Sequence, residues 1–247
     1  MKTGIQVSSV KPLLKTPEQV RAAFAKMSVL GCKYVQLQWI DPQVPVADIA
    51  AALGESGMVS VSVQDFYEIV RENLSYYVNL NASTGGLWLT VSRIPDRCKS
   101  PGGLDVFIGE LRQLQEALKP LGQRVCLHPV TADFTAVPGM DPVEYILNAM
   151  PDLEICLDLY HLNRNCPDMP GFIRRYAGRI PMVHFKDADR QGALVPAGSG
   201  TVNWTGVVDA CLDAGVEYGF AEQETWTGDP YDCLSRALVW LNAEMER

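Results

Sequence analysis

Short apolar runs recur along the chain, and each is followed by a stretch of helical period and a glycine-containing turn. Residues 4–10, 33–38, 58–63, 87–91, 124–128, 153–159, 180–183 and 219–221 read as strands, several of them apolar throughout, as strands buried on both faces are. Between the first two, Val20, Ala23, Phe24, Met27 and Leu30 fall on one helical face. Thr16-Pro17 opens that helix, Gln19 is placed to complete a capping box, and Gly31 ends it. Further helices are expected at 46–53, 67–80, 104–118, from 141, at 170–177, at 203–214 with Asn203 as cap, and at 230–245. Eight strands alternating with eight helices predict an α/β fold, a closed (β/α)8 barrel. No linker-like run divides the chain, so residues 1–247 form one expected domain.

Composition narrows the class. An apolar share of 47% against 20% charged residues fits a globular protein with a large core. No apolar run reaches the roughly 20 residues of a membrane span, and the first ten residues enter a strand without a signal-peptide core. Seven cysteines include no Cys-x-x-Cys pair, which points to a reduced, cytoplasmic protein without disulfides or a zinc ribbon. The net charge of −8 argues against a nucleic-acid partner. Self-association into a homo-oligomer is left open.

The chemistry gathers where strands end. The run 180–183 breaks abruptly into His184, Lys186 and Asp187, while His128, Asp158 and His161, and then Glu222 and Glu224, follow other strands. All three histidines of the chain thus sit on one expected rim. Carboxylates converging there repel one another unless a cation neutralises them, which makes Asp158, His184 and Glu222 metal-ligand candidates. Carboxylate oxygens with one imidazole suit Mn²⁺, Mg²⁺ or Co²⁺, with Zn²⁺ as an alternative. Each residue also has a plainer reading. Asp158 caps the next turn, Lys186 and Asp187 form a solvated ion pair, and Gly198 and Gly200 are turn glycines rather than a phosphate cradle. Trp39 and Trp226 either wall a sugar site or pack the rim. Gln36 and Gln64 either bond substrate hydroxyls or cap the barrel.

Four motifs, Leu-Asp-Leu-Tyr-His (157–161), Val-His-Phe-Lys-Asp (183–187), Pro-Ala-Gly-Ser-Gly (196–200) and Glu-Gln-Glu (222–224), resemble in order and spacing those of the xylose isomerase-like TIM barrels. That superfamily holds sugar phosphate isomerases and epimerases, inosose dehydratases and the endonuclease IV group. The resemblance implies Asp158, His184 and Glu222 as metal ligands, with His161 contacting substrate hydroxyls. It implies a fourth ligand just past the fifth strand, where His128-Pro-Val-Thr-Ala-Asp133-Phe134 puts Asp133 at the family's glutamate and Val130 at its second histidine. The expected activity is metal-dependent proton transfer on a small sugar-like carbonyl compound. Glu222 and Asp133 are its bases, Lys186 stabilises negative charge, and His128, His161, Glu224, Trp39 and Trp226 bind substrate. An inosose-type dehydratase using the same site, or a degenerate sugar-binding barrel motivated by Asp133 and Val130, are the alternatives. The nuclease branch uses a histidine-rich metal cluster, which three histidines do not supply.

Overall fold

A computed structural model describes residues 1–246. Eight parallel strands close into a barrel: β1 (Lys2–Gln6), β2 (Tyr34–Gln38), β3 (Val59–Phe66), β4 (Trp88–Ser92), β5 (Arg124–His128), β6 (Glu154–Asp158), β7 (Met182–Phe185) and β8 (Tyr218–Ala221). Each pairs with its neighbours in chain order, and β1 closes the ring on β8 with Gly4 opposite Phe220. A (β/α)8 barrel in one domain is therefore the architecture. No helix among the described residues is long and apolar enough to cross a membrane.

Local chemistry explains where the helices begin. Pro17, Pro101, Pro142 and Pro230 each occupy a first turn, where a missing N–H costs nothing, and Thr16, Ser100, Asp141 and Asp229 each accept a backbone N–H from that turn. Ser100 thereby starts its helix at Pro101, ahead of the apolar pattern that opens at Leu104. Gln19 misses the expected reciprocal bond and accepts from the Lys15 N–H instead.

Three expectations need correction. The first strand ends at Gln6, and Val7–Leu13 turns into tight 3-10 structure around Pro12. The helix expected over 67–80 is two helices, Tyr67–Glu72 and Leu74–Ser83, broken at Asn73, whose side-chain amide bonds the Ile69 carbonyl. Asn203 accepts from the Thr205 N–H in a turn, and the helix itself runs Val207–Asp213 behind Gly206.

Two apolar layers hold the barrel. The larger fills the space between strands and helices with fully buried side chains such as Phe24, Leu89, Leu104 and Phe107. A smaller one plugs the barrel's N-terminal end, where Val61, Trp88, Met182 and Phe220 pack with Tyr34 and Tyr218. Tyr218 anchors this floor, with the rings of Tyr34, Trp88 and Phe220 at 5.5, 6.1 and 6.2 Å. Above it the interior turns polar. The Gln6 amide donates to Gln36 at 3.0 Å, and the Gln36 amide donates to Ser62 and Thr90 at 3.2 and 3.3 Å.

Candidate active site

The strand register brings the expected residues to one rim. His128 ends β5, Asp158 ends β6, His184 lies opposite Asp158 on β7, and Glu222 follows β8 directly. Asp158, His184 and Glu222 offer ligand atoms that all lie within 4.8 Å of one another, and all three residues are buried.

His184 is set from below. Its Nε2 faces Gln36 Oε1 at 2.5 Å, and an amide oxygen only accepts, so Nε2 carries a hydrogen and Nδ1 is the atom turned toward the rim. That Nδ1 faces Glu222 Oε2 at 2.9 Å and His128 Nε2 at 3.2 Å. A ring nitrogen and a carboxylate oxygen stay so close only with a shared cation between them, either a proton or a metal ion. A second group, His128, Cys156 and His184, also has metal-like spacing, but burial raises the Cys156 thiol well above its ordinary range. A thiol must deprotonate to bind a metal, so the carboxylate group is the fitter site.

Asp158 does two things at once. Its Oδ1 accepts from the N–H groups of Tyr160 and His161 and so caps the helix Leu159–Asn163. Its Oδ2 is buried without a hydrogen bond, 3.5 Å from His161 Nε2 and 3.7 Å from Lys186 Nζ. Glu222 accepts from Ser8 through Oε1 at 3.1 Å and leaves Oε2 with His184 Nδ1 as its neighbour. Burial opposes charge on Glu222, but Lys186 and His184 outweigh it and hold the carboxyl well below its usual range. Burial likewise opposes the Lys186 ammonium, and Glu222, Asp158 and Glu224 together overcome it. Burial and the neighbouring Glu222 lift Glu224 to about 7, although it accepts from Lys186 at 2.6 Å. Burial, followed by His184, lowers His128 to about 3. His161 is lowered chiefly by burial and meets the Thr131 hydroxyl at 2.8 Å.

A cavity of about 80 Å³ opens over this group, lined by Trp39, His128, Asp158, His161, Lys186, Glu222 and Glu224 among others. Two expected members are elsewhere. Asp133 belongs to neither metal-like group; its Oδ2 accepts from the Val130 N–H at 3.0 Å, and its Oδ1 faces Lys99 at 3.9 Å. The loop after β5 closes on itself there, so the carboxylate caps its own turn instead of reaching the rim. Trp226 does not line the cavity, and its indole N–H donates to the Ser9 carbonyl. Gln36 is buried beneath His184, whereas Gln64 lines the cavity wall.

Lys186 and Asp187 do not form the expected solvated pair, since Lys186 turns to Glu224 and Asp187 turns the other way. The Asp187 carboxylate accepts five hydrogen bonds, from the N–H groups of Ala188, Gly198, Gly200 and Val202 and from the Trp204 indole. The Gly-x-Gly loop therefore does cradle an anion, but the anion is the chain's own. Gly198 adopts φ +80°, and a Cβ on Gly200 would lie 2.2 Å from Asp187 Oδ1. Sequence spacing gave no signal for this, because donors and acceptor are separated by a hairpin, Asp187–Ala188 with Leu194–Val195.

Comparison with solved structures places the chain among similar barrels. A sugar phosphate isomerase/epimerase from Parabacteroides distasonis superposes with a TM-score of 0.81 at 16% identity, covering 98% of this chain and 93% of that one. An L-ribulose 3-epimerase gives 0.78 at 16% identity over 100% and 95% of the two chains. A 3-keto-D-glucoside 4-epimerase from E. coli gives 0.72 at 19% identity over 98% and 99%. No curated protein sequence matches the chain. Residues 18–242 match the family described as xylose isomerase-like TIM barrel, and with nearly the whole barrel inside that match, the chain belongs to this family.

Proposed function

We propose that the protein is a divalent-metal-dependent isomerase or epimerase of a ketose, inosose or related polyhydroxy carbonyl compound, working by proton transfer through an enediolate. One observation carries this reading. Asp158 Oδ2, buried without a hydrogen bond, and Glu222 Oε2, buried against His184 Nδ1, converge with that nitrogen. Buried carboxylate oxygens in that state need a cation, and a single ammonium, Lys186, stands beside Asp158, Glu222 and Glu224. The three residues fit a metal ion, and they would hold it as its ligands. His128 stands at the end of β5 where Asp133 was expected to supply a fourth. When bound, the cation polarises the substrate carbonyl and its neighbouring hydroxyl and offsets the negative charge that develops there. Mn²⁺, Mg²⁺ or Co²⁺ suits the two oxygens with one nitrogen, and inclusion of His128 moves the preference toward Co²⁺ or Zn²⁺.

The remaining steps belong to the chain. Glu222 takes the proton from the substrate carbon, held in aim by Ser8. Lys186 keeps its charge and stabilises the developing oxyanion, while Glu224 fixes its position. His161 and Glu224 face the cavity as hydroxyl partners, and Trp39 walls it. With Asp133 outside the cavity, the one-base outcome is favoured, in which Glu222 relays a proton between adjacent carbons. Dehydration shares the first abstraction and remains the alternative. Seven free cysteines fit a reducing, cytoplasmic setting.

Two measurements test the reading. EDTA-stripped protein should regain turnover of ketoses or inososes with Mn²⁺ or Co²⁺, and the added metal should raise Tm by about 5–10 °C at a hundredfold excess over Kd. His184→Ala should abolish that thermal shift while leaving a folded barrel by circular dichroism. A wild-type protein with neither metal-dependent turnover nor a thermal shift would sink the proposal.

A further inference from the structure

The cavity over the metal-like group is small, and a larger one adjoins it. Gln38, Trp39 and Gln64 are shared with a second cavity of about 460 Å³, set between the ends of β2 and β3 and the broken helix pair. A single water takes about 10–15 Å³ by the same measure, so the 80 Å³ over Glu222 has room for the reacting carbons and their oxygens but little more. We infer that the larger cavity is a subsite for a second ring carried by the substrate, so that the sugar acted on bears an aryl or glycosyl substituent. This rests on the proton-transfer reading above for the reacting end alone.

Three features of the chain build the subsite. Trp39 adopts φ +57°, a conformation rare outside glycine, and it forms the wall common to the two cavities. Lys11 Nζ lies 4.3 Å from its ring centre and Phe66 packs at 6.0 Å, which fixes the indole in that place. The helix break at Asn73 makes the room, since Asn73 and its partner Ile69 both line the cavity where a continuous helix was expected. The remaining surface is largely apolar, with Leu37, Ile40, Leu80 and the Tyr76 ring, while the Tyr77 hydroxyl is already satisfied by Asp65 at 2.6 Å. A flat ring with an apolar face is the chemistry such walls take. A phosphate would find only Lys11 and Lys15 there, and these are already engaged by Trp39 and Asp41.

The test is calorimetric titration with glucose, methyl β-glucoside, p-nitrophenyl β-glucoside and cellobiose. The aryl or the glycosyl ligand should bind about tenfold or more tightly than glucose and the methyl glucoside, and whichever of the two does so names the substituent. Ile69→Trp, at a helix position 41% exposed, should fill the cavity and erase that preference without weakening glucose binding. Tyr76→Ala should erase it by removing a wall, which covers a failure of the first variant to fold. Equal affinity for all four ligands, no binding of any, or a preference that survives both variants would overturn the subsite. Ring-selective binding with no turnover of any sugar would leave the subsite standing and remove the proton-transfer reading instead.

Discussion

Glu222→Gln should lower kcat by about 10²–10⁴-fold on any ketose or inosose the protein converts, at saturating metal. The change is close to isosteric. A glutamine oxygen can still accept from Ser8, so the side chain keeps its place. What disappears is the charge and the basic oxygen that faces His184 Nδ1. Stability should change little, because the lost attraction to Lys186 is set against relief of the repulsion between Glu222 and Asp158. A loss in kcat with the melting temperature held within a few degrees therefore separates chemistry from folding. If kcat stayed within tenfold of wild type at full metal occupancy, Glu222 would not be the base.

Asp187→Ala should destabilise the protein by about 3–5 kcal/mol, read from urea unfolding. The cost lies in the donors left behind. The carboxylate is fully buried, and its removal strands the N–H groups of Ala188, Gly198, Gly200 and Val202 together with the Trp204 indole. Asp187→Asn should recover only part of the loss, because its amide presents hydrogens to groups that are themselves donors. A cost under about 1 kcal/mol for Asp187→Ala would mean the loop amides find other partners at will.

The parts of the fold that were legible in the sequence are those written in short-range chemistry. Thr16 with Pro17 marked a helix start, because cap and donor lie within three residues, and helices from 141 and 230 began where expected. Asp158, His184 and Glu222 were legible because each breaks an apolar strand at its C-terminal end, and in a parallel barrel all such ends share a rim. The sequence carried no comparable cue for Asp133. Its distance past β5 was right, but a loop has no period, and the carboxylate turned back to its own Val130 N–H. The break at Asn73 was hidden for the opposite reason: Val70, Tyr77 and Leu80 keep a helical spacing straight through it. Trp226 and Asp187 depend on partners far along the chain, Ser9 in one case and residues 198–204 in the other, which no local window contains.

The aromatic floor formed by Tyr34, Trp88, Tyr218 and Phe220 leaves the chamber with a single mouth. Bulk solvent reaches Glu222, itself only 5% exposed, from the rim side alone. A deuterium lifted from substrate by that carboxylate would meet few molecules with which to trade before it is handed on. Isotope placed on one carbon should then turn up on its neighbour more often than it washes out into the medium.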